Sequence, residues 1–308
     1  MSDHNELALI DWIRQQAKSA TGLQVGIGDD AAVWQVGGKS LLLTTYMLME
    51  DVDFRLSETS ATLIGRKAMA VNLSDIAAMA GRPLVALVAV ALPKERGFEF
   101  ARELHQGMQS IAEEYGVAII GGDTNTWNKP LVVTVTLIGE ATDRGAVRRS
   151  GAKPGDWLFV TGSLGGSIQG KHLSFTPRIR EALALHEVVD LHAMIDLSDG
   201  LSADLHHILD ESGVGATLFA ESIPISDSAR QLSDGRSPLE HALSDGEDFE
   251  LLFSVSAEDG RRLIAEANAV STTHIGQIES VSGCQLRTPD GVLVPLSRSG
   301  WEHSFSPQ

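Results

Sequence analysis

Apolar and polar positions along the chain follow two kinds of pattern, one typical of helices and one typical of strands. The stretch "NELALIDWIRQQAK" places Leu9, Ile10 and Ile13 near one face, which predicts an amphipathic helix at the N-terminus. Short runs of mainly apolar residues bounded by Gly, Pro or Asp predict strands. These runs are "SLLLTTYML", "LVALVAVAL", "VAIIGG", "LVVTVTLIGE", "WLFVTG" and "FELLFSVS".

Helices are predicted between these strands. One covers "ATLIGRKAMAVNLSDIAAMA", with an interruption near Asn72–Asp75, and others are expected at Phe98–Tyr115, around Arg178–His186, after Asp199 and after Ala257. The residues from 272 to 296 have the pattern of a hairpin. The run "LVALVAVAL" is too short to span a bilayer as a helix, and we expect a buried strand there.

A break in the pattern suggests two domains. The stretch "RRSGAKPGD" is basic, contains Gly and Pro, and precedes a new strand, so we place the boundary between residues 147 and 148. The N-terminal domain would then cover residues 1–147 and the C-terminal domain residues 148–308. The predicted fold class is mixed α and β, of the α+β type, with ambiguous strand directions.

Charge and composition narrow the function. The chain has 308 residues, 43% of them hydrophobic and 21% charged, which predicts a packed globular core. Its formal net charge of -17 argues against nucleic acid and against an anionic membrane surface as partners. An acidic protein that handles phosphates usually needs metal ions to reverse the local field.

The single cysteine, Cys284, excludes a disulfide framework within the chain and fits a reducing compartment. The N-terminal stretch "MSDHNELALIDW" is acidic and lacks the apolar core of a signal peptide. We therefore expect a cytoplasmic protein.

Five short acidic clusters carry the candidate chemistry. They are "GIGDD", "VNLSD", "GGDT", "IDLSDGLSADL" and "DGEDFELLF". Most of them adjoin runs that should be buried, where a carboxylate is costly unless it is paired or bound to a metal. Mg²⁺ prefers oxygen ligands, often one or two carboxylates together with substrate phosphates. Asp residues that converge from separate loops would suit a site for nucleotide and metal.

Each cluster also has a purely structural interpretation. Asp199, or Ser74 with Asp75, would serve as a helix N-cap. "GGDT" would be a turn after a strand, and "DGEDFE" a solvated loop. Taken singly, these interpretations are the better ones. Five such clusters with few Lys or Arg residues nearby favour the metal site instead, and "GIGDD" then forms a turn whose Asp30 faces the metal.

A P-loop is disfavoured. "VTGSLGGSIQGKH" has the glycine spacing and Lys171, but His172 stands where a P-loop needs Ser or Thr to bind Mg²⁺. We expect a glycine-rich loop with a solvated lysine. No "HExxH" or "GxSxG" pattern occurs, so zinc and covalent catalysis have little support.

The motifs as an ordered set resemble the thiamine-monophosphate kinases. These belong to the superfamily of aminoimidazole ribonucleotide synthetase and selenophosphate synthetase. The set is "GIGDDAAV", "AVNLSDIAAMAGRP", "GGDT", "RSGAKPGDWLFVTG", "IDLSDGLSADL", "SDGEDFELLF" and "GWEHSF", and it spans residues 25–305. The resemblance implies a two-domain fold of that superfamily, a homodimer and several Mg²⁺ ions. It also implies that ATP phosphorylates thiamine monophosphate, giving thiamine diphosphate and ADP.

The resemblance further implies roles for residues at matching positions, and it assigns no catalytic nucleophile or base. Metal roles fall on Asp30, Thr44, Thr45, Asp75, Asp123, Asp196 and Asp199. ATP contacts fall on Gly122, Asp123, Arg149 and Ser198. Contacts to thiamine monophosphate fall on Asp53, Glu247 and Trp301, and an aromatic ring at 301 suits a cationic thiazolium.

Two positions depart from the family pattern. Tyr46 stands where the family has a metal-binding Asp, and Asp53 where it has a His. A phenol is neutral at pH 7, so it is a weak replacement for a carboxylate ligand. Glu50, Asp51 or Asp53 would have to compensate. Two alternatives therefore stay open: a sister enzyme of the superfamily with another substrate, and a nucleotide-binding homologue with impaired catalysis.

Overall fold

The computed structural model describes residues 6–265 and 270–302, and the strands of this part form two sheets. The first half contains α1 (Glu6–Gln16), β1 (Leu23–Val25), β2 (Ala32–Val36), β3 (Lys39–Met49), α2 (Ala61–Ala78), β4 (Gly81–Pro93), α3 (Gly97–Glu114), β5 (Ala118–Trp127) and β6 (Val132–Ala141). Its strands are ordered β1-β2-β3-β6-β4-β5, and all neighbours are antiparallel except β4 and β5.

The second half contributes the other sheet. Its strands are β7 (Trp157–Thr161), β8 (Leu191–Asp196), β9 (Gly215–Phe219), β10 (Leu251–Val255), β11 (Thr272–Glu279), β12 (Gly283–Arg287) and β13 (Leu293–Pro295). Its helices are α4 (Lys171–Ser174), α5 (Ile179–Val188), α6 (Leu201–Ser212), α7 (Asp227–Gln231), α8 (Pro238–Ser244) and α9 (Ala257–Ala265). The strand order is β13-β12-β9-β11-β7-β10-β8. Along the sequence, the strands of the first sheet precede residues 142–156 and those of the second sheet follow them. The domain boundary at residue 147 stays a prediction.

Helix α2 is the central element of the molecule. It is apolar nearly all round and packs on β3, β4 and β6 of the first sheet as well as on α4, α5 and β8 of the second half. A helix without a polar face has to be covered on every side. One face of the second sheet joins this core through Phe159 and Phe253, while its other face packs against α6 and α8 in a separate cluster.

Two glycines allow α2 and α3 to pack closely. A Cβ atom added to Gly65 would lie 1.9 Å from the carbonyl oxygen of Leu104, and one added to Gly107 would lie 1.9 Å from that of Thr62. The two backbones therefore touch at these positions, which presses α2 and α3 together on one face of the first sheet.

The structure confirms the mixed class and corrects several predicted elements. Helix α2 is not interrupted: it runs from Ala61 to Ala78, and the side-chain amide of Asn72 donates to the carbonyl oxygen of Ala68 in the same helix, at 3.0 Å. Ser74 and Asp75 lie inside this helix and therefore cap nothing. "GGDT" is not a turn, because β5 continues through it. The predicted hairpin of residues 272–296 contains three strands, of which only β12 and β13 form a hairpin. Strand β11 does not pair with β12, because β9 lies between them in the sheet.

The strand "LVALVAVAL", predicted to be buried, is buried on one side only. Along β4 the residue Ala86 is buried, whereas Leu84 and Leu87 are 38% and 42% exposed. Register places Leu87 and Ala89 on the same face as Thr136, Thr134, Thr45 and Met47. We call this the open face of the first sheet. None of the helices in the described part of the chain is long and apolar enough to cross a membrane.

Gly65→Ala should destabilise the fold by about 3 kcal/mol, because its methyl group collides with backbone rather than with a movable side chain. Urea unfolding measures the effect. Gln106→Ala, at an exposed position of α3, is the control and should change stability by less than about 0.5 kcal/mol. Equal stability of Gly65→Ala and wild type would contradict the close packing of the two helices.

Candidate functional site

Two buried carboxylates and one half-buried carboxylate, that of Asp75, meet where α2 lies between the two sheets. Asp30 comes from the loop before β2, Asp75 from α2 and Asp196 from the end of β8. The hydroxyl of Thr44 donates to Asp75 at 2.5 Å. The hydroxyl of Ser74 donates to Asp196 at 2.6 Å. Adjacent residues of α2 thus reach opposite halves of the molecule.

These carboxylates raise one another's pKa. Burial, followed by the charge of Asp196, raises the pKa of Asp75 well above its usual value. Burial and the charge of Asp30 raise the pKa of Asp196 to about 7, and burial and Asp30 do the same for Asp29. Negative charge is therefore in excess at the junction.

Arg149 is the nearest cation to this cluster. Its Nη2 donates to Oδ1 of Asp30 at 2.6 Å, and its backbone N–H contacts the carboxylate of Asp29 at 3.3 Å. The second oxygen of Asp30, Oδ2, is buried and has no hydrogen-bond partner in the described part of the chain. The side chain proposed for a metal thus has one oxygen paired and one unused.

The cluster has the donor chemistry of a Mg²⁺ site. An unpaired buried oxygen and carboxyl groups with raised pKa are what a hard cation would relieve. Within residues 6–265 and 270–302, however, no three His, Cys, Asp or Glu side chains are placed to hold one ion by themselves. Further ligands, such as substrate phosphates, are needed to complete such a site.

A cavity of about 600 Å³ opens beside the cluster. The side chains around it are mostly acidic or apolar, and they include Thr45, Tyr46, Met47, Met49, Asp53, Ile168, Ser198, Asp199, Leu232, Asp245, Glu247 and Trp301. Strand β2 pairs only with Lys39–Leu43, so β3 continues beyond it and both faces of β3 reach the cavity. All three residues expected to contact thiamine monophosphate lie on its walls.

Tyr46 stands among carboxylates. Burial raises the pKa of its phenol well above 10, and the charges of Asp199, Asp53, Asp75 and Glu247 raise it further. The phenol is therefore neutral at pH 7. Glu50 does not replace the missing carboxylate, because its Oε2 accepts the backbone N–H of Leu131 at 2.8 Å.

A smaller cavity of about 270 Å³ adjoins the first. Ser198, Asp199 and Trp301 line both, and Arg149 lines the smaller one. Asp199 does not cap α6. The N–H groups of Asp199 and Gly200 donate to Oδ2 of Asp204 at 3.1 and 3.0 Å, so Asp204 fixes this loop. Arg149 and Ser198, both expected to contact ATP, thus share one cavity.

Gly122 and Asp123 do not join this site. They lie on β5, and β4 and β6 separate β5 from β3. Three inter-strand spacings place Asp123 about 14 Å from β3. Thr45 also differs from Thr44: its hydroxyl points to the open face, where it contacts Thr136 at 3.1 Å. Of "GWEHSF", the residues after 302 lie outside the described part.

The cluster "DGEDFE" is not a solvated loop, and its carboxylates are paired. Glu250 accepts from Arg178 at 2.7 Å and from Lys171 at 2.9 Å. Lys171 also donates to the carbonyl oxygen of Ser163, so it is not a solvated lysine, and only the four-residue helix α4 follows its loop. These cations come from distant parts of the sequence, and counting Lys and Arg near each motif therefore missed them.

Lys67 was not predicted from the sequence, although it contacts two residues that line the cavity, Asp53 and Glu247. This buried side chain forms an ion pair with Glu247. A signal was present, because Lys67 lies in line with Ile64 and Val71 on an otherwise apolar stretch, where an unpaired lysine is rare. His241 was also missed. It contacts Asp245 at 3.0 Å and Asp234 at 3.2 Å beside the cavity.

Comparisons with known proteins agree with this architecture. The profile of the AIR synthase related protein N-terminal domain matches residues 28–141, and that of the C-terminal domain matches residues 153–288. The thiamine-monophosphate kinase of Rhodopirellula baltica is 41% identical and is covered to 97%, as is this chain. That of Bacillus subtilis is 34% identical, over 97% of this chain and 99% of the relative.

A solved structure supports the same grouping. AaThiL complexed with AMPPCP and TMP superposes with a TM-score of 0.84 at 31% identity, and the match covers 97% of each chain.

Asp248→Asn should flatten the dependence of stability on pH. Burial raises the pKa of Asp248 from 3.8 to about 7, so the folded state holds this proton more tightly than the unfolded chain. The resulting stabilisation is complete below about pH 4 and is lost as the pH rises to about 7. Asn cannot titrate, so the variant avoids this loss, which amounts to a few kcal/mol at most (roughly 1.4 kcal/mol per pKa unit).

The measurement is urea unfolding in EDTA at several pH values. Asn can still accept the N–H of Gly165, which donates to Asp248 at 2.8 Å, so the loop geometry is kept. Exposed Glu187→Gln is the control and should leave the pH profile unchanged. Identical profiles for Asp248→Asn and wild type would show that Asp248 titrates normally.

Proposed function

Since the chain belongs to the thiamine-monophosphate kinases of the AIR synthase related family, we propose that it transfers the γ-phosphoryl group of ATP to thiamine monophosphate. The products are thiamine diphosphate and ADP. The observation that carries the proposal is the junction itself: the carboxylates of Asp30, Asp75 and Asp196 lie beside a cavity lined by Glu247 and Trp301. The related structure named above holds AMPPCP, an ATP analogue, together with TMP.

The cavity suits the acceptor. Thiamine monophosphate combines a cationic thiazolium ring with an anionic phosphate. Trp301 offers an aromatic face and Glu247 a negative charge to the ring. Asp53 is directed into its own turn, because its Oδ2 accepts the backbone N–H of Met49 at 2.7 Å, which lessens its repulsion of a phosphate.

The metal roles stay proposals. Asp30, Thr44, Asp75, Asp196 and Asp199 would hold Mg²⁺ on the junction side, and Thr45 would approach from the cavity. When bound, Mg²⁺ neutralises charge on the phosphates of donor and acceptor. Arg149 and Ser198 line the smaller cavity and would contact the nucleotide. The transfer is direct, so no side chain is needed as a nucleophile.

Gly122 and Asp123 take part only if a second copy supplies them. The open face carries Leu87, Ala89 and Met47, and it ends at β5, which is almost wholly exposed. An exposed apolar sheet face of this kind is typical of a protein interface. The chain is therefore proposed to be a homodimer through this face, with Asp123 of the partner subunit completing the site.

Tyr46 supports a second candidate, a nucleotide-binding homologue with impaired catalysis. Its neutral phenol removes one anionic metal ligand from the family pattern. ATP binding without turnover, with activity gained in Tyr46→Asp, would favour this candidate. ADP release with an acceptor other than thiamine monophosphate would favour a sister enzyme of the superfamily.

Wild-type protein should form thiamine diphosphate from ATP and thiamine monophosphate, with a rate that depends on Mg²⁺. Asp75→Asn should lower kcat by about 10²-fold, because one charge that orders the phosphates is lost. The same variant should unfold at an equal or higher temperature in EDTA, because it removes a carboxyl group whose charged form is disfavoured by burial and by Asp196. Absence of turnover at every Mg²⁺ concentration would refute the proposed kinase activity.

Leu87→Glu should convert the dimer into a monomer of about 33 kDa by light scattering and should abolish turnover. A charge in the centre of an apolar interface costs several kcal/mol, roughly 2–5. Phe98→Glu is the control, because Phe98 is 78% exposed and lies at the start of α3 rather than on the open face. A wild-type monomer that is fully active would contradict the shared site.

A further inference from the structure

Lys67 is a fully buried cation beside the acceptor cavity. Its side chain has 0% exposure and lies on α2, and its Nζ donates to the carbonyl oxygen of Asp53 at 2.8 Å. The same Nζ forms a short ion pair with the carboxylate of Glu247. A lysine is almost never buried to this extent unless its charge is paired.

The two partners of Lys67 belong to different halves of the molecule. Asp53 lies in the turn after β3 of the first sheet. Glu247 lies in the loop between α8 and β10 of the second half. Both line the cavity, and Lys67 thus joins the two halves at this point through a single side chain.

The loop that carries Glu247 has a strained backbone. Glu247 has a φ of +53° and Phe249 a φ of +47°, a conformation that residues other than glycine rarely adopt. Backbone hydrogen bonds hold this main chain: the N–H of Glu247 donates to the carbonyl oxygen of Ser198 at 2.6 Å, and that of Phe249 to the carbonyl oxygen of Leu197 at 2.8 Å. The side chain of Glu247 is held separately, by its ion pair with Lys67.

We propose that Lys67 is a positioning residue for the acceptor: it fixes the carboxylate of Glu247 beside the Asp53 turn, so that Glu247 meets the cationic ring of thiamine monophosphate in one orientation. The identity of the acceptor rests on the proposed function; the restraint does not. Without Lys67 the carboxylate loses this fixed position. Its charge, no longer compensated by the ammonium group, then also repels the acceptor's phosphate.

The test combines Lys67→Met, Glu247→Gln and the double variant. Met has a similar length and no charge. Lys67→Met should raise KM for thiamine monophosphate about 10-fold, the effect of about 1.4 kcal/mol. It should leave KM for ATP and kcat within about 3-fold of wild type. Because Lys67 acts through Glu247, the double variant should bind the acceptor no worse than Glu247→Gln alone.

Stability provides a readout that needs no substrate. Lys67→Met leaves Glu247 as an unpaired, partly buried charge and should lower Tm by about 5 °C or more. Adding Glu247→Gln should recover most of that loss, since removal of both partners of a buried pair is often neutral. These Tm values of the single and double variants test the Lys67–Glu247 restraint even if thiamine monophosphate is not the acceptor. In that case only the proposed function fails.

Arg66→Met is the matched control. Arg66 precedes Lys67 on α2 and donates to the carbonyl oxygens of Leu173 and Phe175, outside the cavity. It should lower Tm and leave KM for the acceptor unchanged. The proposal is overturned if Arg66→Met raises this KM equally, if Lys67→Met raises both KM values alike, or if the effects of Lys67→Met and Glu247→Gln are simply additive.

Discussion

The burial of α2 between two sheets is the constraint on which the rest of the structure depends. Nearly every residue from Ile64 to Ala78 is buried, and the close approach to α3 at Gly65 and Gly107 is part of this packing. A buried polar side chain on this stretch is costly unless it has a hydrogen-bond partner. Ser74 finds Asp196 and Asp75 finds Thr44, so the pairing that burial demands also assembles residues from both halves.

Negative charge at this junction conflicts with stability. Asp30 is paired with Arg149 through one oxygen only, and the pKa of Asp75 and of Asp196 is raised by burial and by neighbouring carboxylates. A structure selected for stability alone would not gather such groups, because replacement of buried charges by apolar residues is often neutral or stabilising. Such local conflict with folding rules is expected at functional sites. Cations and phosphates supplied by ligands would relieve it.

The sequence predicted what short-range patterns control. Helical periodicity located α1, α3 and α6, and the ordered motifs indicated the family, which the comparisons confirm. The pairing of charges was not predictable in this way. Lys67 and Glu247 are separated by 180 residues, and Glu250 meets Arg178 across 72.

The place of each strand within its sheet could not be predicted either, because it also depends on contacts between distant parts of the sequence. "GGDT" looks like a turn in sequence, but parallel pairing with β4 draws it into a long edge strand. The open face was not predicted either, because the run "LVALVAVAL" is apolar at every position. Along this strand the side chains point alternately to the core and to an exposed side, which a second chain would cover in the proposed dimer.

The two departures from the family pattern acquire a common physical meaning in the structure. The carboxylate of Asp53 accepts the backbone N–H of Met49, and the backbone carbonyl oxygen of Asp53 accepts a hydrogen bond from Lys67. The turn is therefore fixed by contacts that need no ligand. Tyr46 lies between this turn and Asp199 and contributes no charge. A carboxylate at position 46 would add a further negative charge to an already crowded group. The phenol instead fills that volume, and the remaining anionic donors lie at the junction with Asp30, Asp75 and Asp196. In the proposed arrangement the chemistry lies on the α2 side of the cavity, and Lys67 and Glu247 organise the side that receives the acceptor.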